Sequence, residues 1–162
     1  MSPTPKRMSI GLNTALDLYA KVLRDRAVVQ DRVTPDALFN FVVTGHSLCE
    51  WVRKDPTLPQ AARAAVDQFE ATDEWIRACR DLANGNKHFA IDRYQPVVEH
   101  ADAASGYGVG RFGVGPFGEG EWRIMISWDN VTHDALELVA NVTKAWEEFF
   151  TRCGVVANGP AA

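Results

Sequence analysis

Glu121-Trp122-Arg123-Ile124-Met125-Ile126-Ser127-Trp128 is where the helical spacing of apolar residues gives way. Its large side chains alternate in part with polar ones, a period near two that suits a half-buried strand. An earlier stretch, Tyr94 to Ala103, contains a proline, two valines and then alternating polar residues. It reads as the other arm of a hairpin. Between the arms, Ser105 to Gly120 holds seven glycines in 16 residues. Residues 104–120 are therefore expected to form a long, flexible, glycine-rich hairpin loop.

Outward from the hairpin the pattern is helical on both sides. Thr132-His133-Asp134 opens the last helix, whose inner face carries Leu136, Val139, Trp146, Phe149 and Phe150 and which ends at Cys153-Gly154. Upstream, Ile10, Leu12, Leu16, Tyr19, Val22 and Leu23 mark a first helix, capped by Ser9 or Asn13 and fading near Val29. Thr34-Pro35-Asp36 opens a second: a cap oxygen, a proline in the first turn, and a carboxylate at the positive dipole end. It closes at Asp55-Pro56. From Pro59 the alanines favour helix, and Phe69, Ile76, Cys79, Leu82 and Ala83 continue the stripe, with a break near Gln68 left open. The fold class is mainly α: a four- to five-helix bundle with a β-hairpin inserted before the last helix. Residues 1–162 read as one domain, with residues 1–7 and 155–162 as flexible tails.

Composition narrows the function classes. The 162 residues are 46% hydrophobic and 23% charged, with a formal net charge of -4. An ordinary globular chain fits those values, and a broadly basic nucleic-acid coat does not. No apolar stretch reaches about 18 residues, so no membrane partner is expected. The basic N-terminus lacks the apolar run of a secretory signal. Cys49, Cys79 and Cys153 are odd in number and far apart. They read as three reduced, buried thiols in a cytoplasmic protein.

Basic residues are in excess in the first helix and again between residues 76 and 93. The second region, Arg77-Ala78-Cys79-Arg80-Asp81-Leu82-Ala83-Asn84-Gly85-Asn86-Lys87-His88-Phe89, is the most heavily loaded stretch of the chain. A helix continuing through Gly85 places residues 77, 81, 84 and 88 on one face. Metal-free RNA cleavage suits such a set. An imidazole moves the proton of the ribose 2′-hydroxyl, and a guanidinium holds the phosphate oxygens. His88 and Arg80 are the candidate catalytic pair. Arg77, Asp81, Asn84 and Lys87 are candidate supporting or phosphate-binding groups. The plain alternative is a helix terminus, with Lys87 and His88 at the negative dipole end and Arg77, Arg80 and Asp81 as a solvated ion-pair face.

The Asp81–Phe89 segment, together with Thr44-Gly45-His46-Ser47-Leu48-Cys49-Glu50-Trp51-Val52, resembles a set of small bacterial α-helical proteins. Arginine followed by histidine in an α-rich bundle also resembles the HEPN superfamily, with a longer arginine-to-histidine separation here. That resemblance implies an RNA-acting protein, in many members a metal-independent endoribonuclease of bacterial toxin–antitoxin or phage-defence systems. It implies a homodimer, RNA as substrate and an antitoxin-like protein as partner. Other members are non-catalytic binding modules, which is the competing expectation for this chain.

His46 and Glu50 lie four residues apart on one helix face and are expected to orient the Asn84–His88 region from behind. With His88 and a carboxylate such as Asp17 or Asp81 the pair is also a third, weaker reading as the metal site of a bundle enzyme, but a single His-x-x-x-Glu is thin evidence, and neither metal nor cofactor is expected. Gly108-Val109-Gly110-Arg111-Phe112-Gly113 fits G-x-G-x-x-G only formally, because a strand follows it where a helix is needed. Tyr107, Arg111, Phe112 and Phe117 make the loop adhesive toward a partner or nucleobase. The five tryptophans read as core or dimer interface, and no nucleophilic triad is evident.

Overall fold

The computed structural model describes residues 8–106, 108–114 and 120–156. Five helices and three strands run in the order α1 (Ala15–Asp31), α2 (Pro35–Lys54), α3 (Gln60–Thr72), α4 (Glu74–Lys87), β1 (His100–Ala104), β2 (Arg123–Trp128), β3 (Val131–Asp134) and α5 (Ala135–Arg152). The fold is a helical bundle with a small antiparallel sheet inserted before the last helix. Helix α2 packs on all four other helices. Trp146, Phe149 and Phe150 of α5 meet Phe69 of α3 and Tyr19 of α1 in an aromatic cluster.

The caps explain where the helices begin. Thr34 accepts a hydrogen bond from the Ala37 amide, Pro35 occupies the first turn, and Arg53 and Lys54 sit in the last turn of α2. Helix α1 starts later than its apolar spacing suggests. Thr14, rather than Ser9 or Asn13, is the N-cap, forming a capping box with Asp17. Asp73 settles the break left open near Gln68. It closes α3 with its backbone amide and opens α4 by accepting from the amides of Trp75 and Ile76. Gly154, with φ of 73°, follows the C-cap of α5.

The expected hairpin is present as β1 paired with β2, and a third strand extends it into a sheet. Its order is β1-β2-β3. Asp129 and Asn130, with φ of 49° and 62°, form a two-residue turn that sends the chain back as β3 before α5 opens at Asp134. Along β2, Ile124, Ile126 and Trp128 are buried, and β2 and β3 pack against α5. The first strand begins at His100, not Tyr94. Pro96 has no amide to donate, and the amides of Val97 and Val98 are taken by Asp81.

Three buried carboxylates join segments that are distant in sequence. Asp55 accepts from the Ala15 amide at 2.6 Å. Asp81 accepts from Val97 and Val98 at 2.5 and 3.0 Å. Glu121 accepts from Val33 at 2.9 Å and from the Arg111 amide at 2.8 Å. Arg111 also clamps Glu121 with its guanidinium, at 2.7 Å, and reaches the carbonyl of Gln30 at 2.7 Å. The glycine-rich segment is thus fastened to the end of α1 at this point, against the expectation of a loop flexible throughout. Gly110 makes the approach possible: its φ is +82°, and a Cβ there would lie 2.8 Å from the Glu121 carbonyl oxygen. Val155 donates to the Phe150 carbonyl and packs on the core, so the expected C-terminal tail does not start there. The expected tail 1–7 and the residues Tyr107 and Phe117 lie outside the described residues.

Candidate functional site

The α4 helix does pass through Gly85, as one of the two expected geometries required. A Cβ at Gly85 would meet Ile91 at an ordinary 3.6 Å, so the glycine is tolerated in the helix and not demanded by it. His88 is the C-cap, with extended dihedrals of -115° and 146°. It therefore leaves the helix, and the single face joining residues 77, 81, 84 and 88 does not form.

What forms instead is a cleft of about 330 Å³ between the end of α4 and the segment that follows it. Asn84, His88, Ile91, Arg93 and Tyr94 line it. His88 is exposed, and Asn84 and Tyr94 are half-buried. The Asn84 side-chain amide donates to the Tyr94 hydroxyl at 3.1 Å. Burial raises the Tyr94 pKa, against the lowering effect of the Asn84 bond.

Of the predicted group, Asn84 and His88 line the same cleft. Arg80 is not among the residues lining it. Its guanidinium donates to Asp81 at 3.0 Å and lies 4.4 Å from the centroid of the Tyr94 ring. Asp81 corrects its predicted role more sharply. Only 3% exposed, it is committed to Arg80 and to two backbone amides, and a buried carboxylate beside a phosphate would repel it. Arg77 is half-buried on α4 and does not line the cleft. Lys87 lines a second cleft on the other side of the helix end, with His46. Arg93 is the residue that sequence reasoning missed. Its signal was its place in the basic region, hidden because no motif spacing includes it.

His46 and Glu50 share the cleft that Lys87 lines, and neither lines the one that holds Asn84 and His88. Glu50 is exposed and bonded to Lys54 one turn on, which lowers the Glu50 pKa. Glu70 of α3 takes its place, with Oε1 3.6 Å from His46 Nδ1. Burial lowers the His46 pKa against the opposing pull of Glu70. Cys49 lies one turn beyond His46, and burial raises its thiol pKa strongly. Cys79 is pushed up to about 12, also by burial. Both thiols are free and buried, as the sequence implied, while Cys153 is only half-buried.

Among the described residues no helix is long and apolar enough to cross a membrane. No family model, curated protein or solved structure matches the chain.

Proposed function

We propose that the chain is an HEPN-like, RNA-acting protein, a metal-independent endoribonuclease of a bacterial defence or toxin–antitoxin system working as a homodimer, with His88 as its proton-transfer group. The observation that carries the reading is the placement of an exposed imidazole in one cleft with a guanidinium, an amide and a phenol. His88 is exposed, so a ribose hydroxyl can reach it, and an imidazole ring has one nitrogen to take a proton and another to donate one. Arg93 supplies the fixed positive charge for the phosphate oxygens. Arg80 acts one layer behind, where it packs on Tyr94 and neutralises Asp81. Tyr94 and Asn84 form the wall on which a base can rest.

Single-stranded RNA incubated with purified protein is the test. Wild type should cleave it with a chelator present, and His88→Ala should lower the rate by about 10²–10⁴-fold. Arg93→Ala should lower it too, with both variants folded by circular dichroism and sedimenting as dimers. Cleavage that is absent from wild type, or unchanged in both variants, removes the nuclease reading. A non-catalytic protein-binding module is then favoured by the fully exposed rings of Phe89 and Phe112 and by β1, exposed along its length.

A further inference from the structure

From the juxtaposition of His46, Cys49 and Glu70 at the α2–α3 interface, we infer a site for a divalent transition-metal ion of the zinc class, with Cys49 and Glu70 as ligands that the sequence alone did not point to. One ligand atom from each of the three residues lies within 4.8 Å of the other two. His46 and Cys49 are one turn apart on α2, so both project from the same side of it, and Glu70 comes from α3.

Two features set this group apart from a chance meeting of polar side chains. His46 Nδ1 is buried and has no hydrogen-bond partner, an arrangement that folded proteins avoid. Glu70 Oε1 faces it at 3.6 Å, too long for a hydrogen bond. An ion bound tetrahedrally, at roughly 2.0–2.2 Å from nitrogen and oxygen, holds those two atoms about 3.4 Å apart. The gap therefore suits a shared ion better than it suits a direct bond. With the three atoms within 4.8 Å of one another, full coordination asks the sulfur to move inward by no more than about 1 Å.

The surroundings also orient the carboxylate. Arg53 donates to Glu70 Oε2 at 3.0 Å, which leaves Oε1 turned toward His46. Arg53 is itself anchored by Asp67 at 2.7 Å. Partners of this kind fix the direction of metal ligands. All three ligand residues border one cleft of about 350 Å³, which gives an ion its way in. Binding is not a redox step. The Cys49 thiol loses its proton to solvent, and thiolate and carboxylate together cancel the charge of a divalent ion. Sulfur, nitrogen and oxygen donors in one set favour zinc over magnesium or calcium. The fourth position opens toward the cleft and takes water or an exchangeable ligand.

This site shares no residue with the His88 cleft, so the two readings stand or fall separately. The test uses tag-free full-length protein, stripped with a chelator, dialysed, and titrated with Zn²⁺ alone and then with Co²⁺ alone. Wild type should take up one equivalent, and Co²⁺ should give a thiolate charge-transfer band in the near ultraviolet. Cys49→Ala should abolish that band. His46→Ala and Glu70→Gln should each weaken binding by more than about 100-fold, and Arg53→Met by about 10–100-fold. Cys153→Ser and His88→Ala should bind as wild type does. Glu70→Gln stays close in shape, so it serves if a core variant fails to fold. Absence of uptake by wild type, or uptake unaltered in folded Cys49→Ala and Glu70→Gln, overturns the inference.

Discussion

Removing the guanidinium of Arg111 should destabilise the protein through a residue in a different segment. Glu121 has a side chain only 1% exposed. Burial on its own would raise its pKa, but the Arg111 guanidinium and the amides of Val33 and Arg111 outweigh it and bring the value from 4.5 to about 2. By linkage, that depression is worth about 3 kcal/mol at neutral pH. Arg111→Ala leaves the carboxylate buried with amide donors alone. Because the Arg111 side chain is 42% exposed, water will replace some of what is lost. The expected cost is therefore about 2–3 kcal/mol, at or below the usual range for breaking a buried pair.

Glu121→Gln removes the charge yet keeps a carbonyl oxygen for the Val33 amide, and its expected cost is about 2 kcal/mol. The double variant should fall short of the sum by at least about 1 kcal/mol, because both changes break the same contact. Urea unfolding at pH 7 measures these differences. The sign with pH follows from a folded value below the unfolded one. The contribution is complete above about pH 5 and is lost as pH falls through about 2. Wild type and Arg111→Ala should thus converge in acid. An Arg111→Ala variant within about 0.5 kcal/mol of wild type at pH 7, or a gap that persists unchanged toward pH 2, means that the guanidinium is not what holds the Glu121 charge.

Gly110→Ala should destabilise by about 2 kcal/mol or more in the same urea assay, since the new Cβ adds left-handed strain to a clash with the Glu121 backbone. Asp73→Ala should cost about 1–2 kcal/mol and lower the melting temperature, because two amides at the start of α4 lose their acceptor.

The elements that were legible in the sequence are those whose signals are local. Thr34-Pro35-Asp36, Gly154 and the apolar stripes of α2, α4 and α5 need no information from elsewhere in the chain. Strand β3 escaped because Asp129-Asn130 lacks the glycine that usually announces a tight hairpin turn, yet both residues tolerate positive φ. The candidate sites were harder to read because their partners are not local. Glu50 is closer to His46 in sequence, but α3 brings Glu70 to it. In sequence Asp81 reads as a site group or a surface charge, and only the segment after α4, folding over it, commits it to the Val97 and Val98 amides. Arg93 became a site residue only because the chain leaves the helix at His88 and turns back.

The carboxylates of Asp55, Asp81 and Glu121 have a consequence for hydrogen–deuterium exchange. The amides of Ala15, Val33, Val97 and Val98 belong to no strand ladder and no helix interior, and such protons ordinarily trade with solvent first. Here each one donates to a buried oxygen, so each reports the opening of the seam it closes. Slow exchange at Val33 would time the release of the glycine-rich segment, and slow exchange at Val97 and Val98 the release of the wall beside His88. These four backbone protons thereby time three separate openings in the parts of the fold that lie between its regular elements.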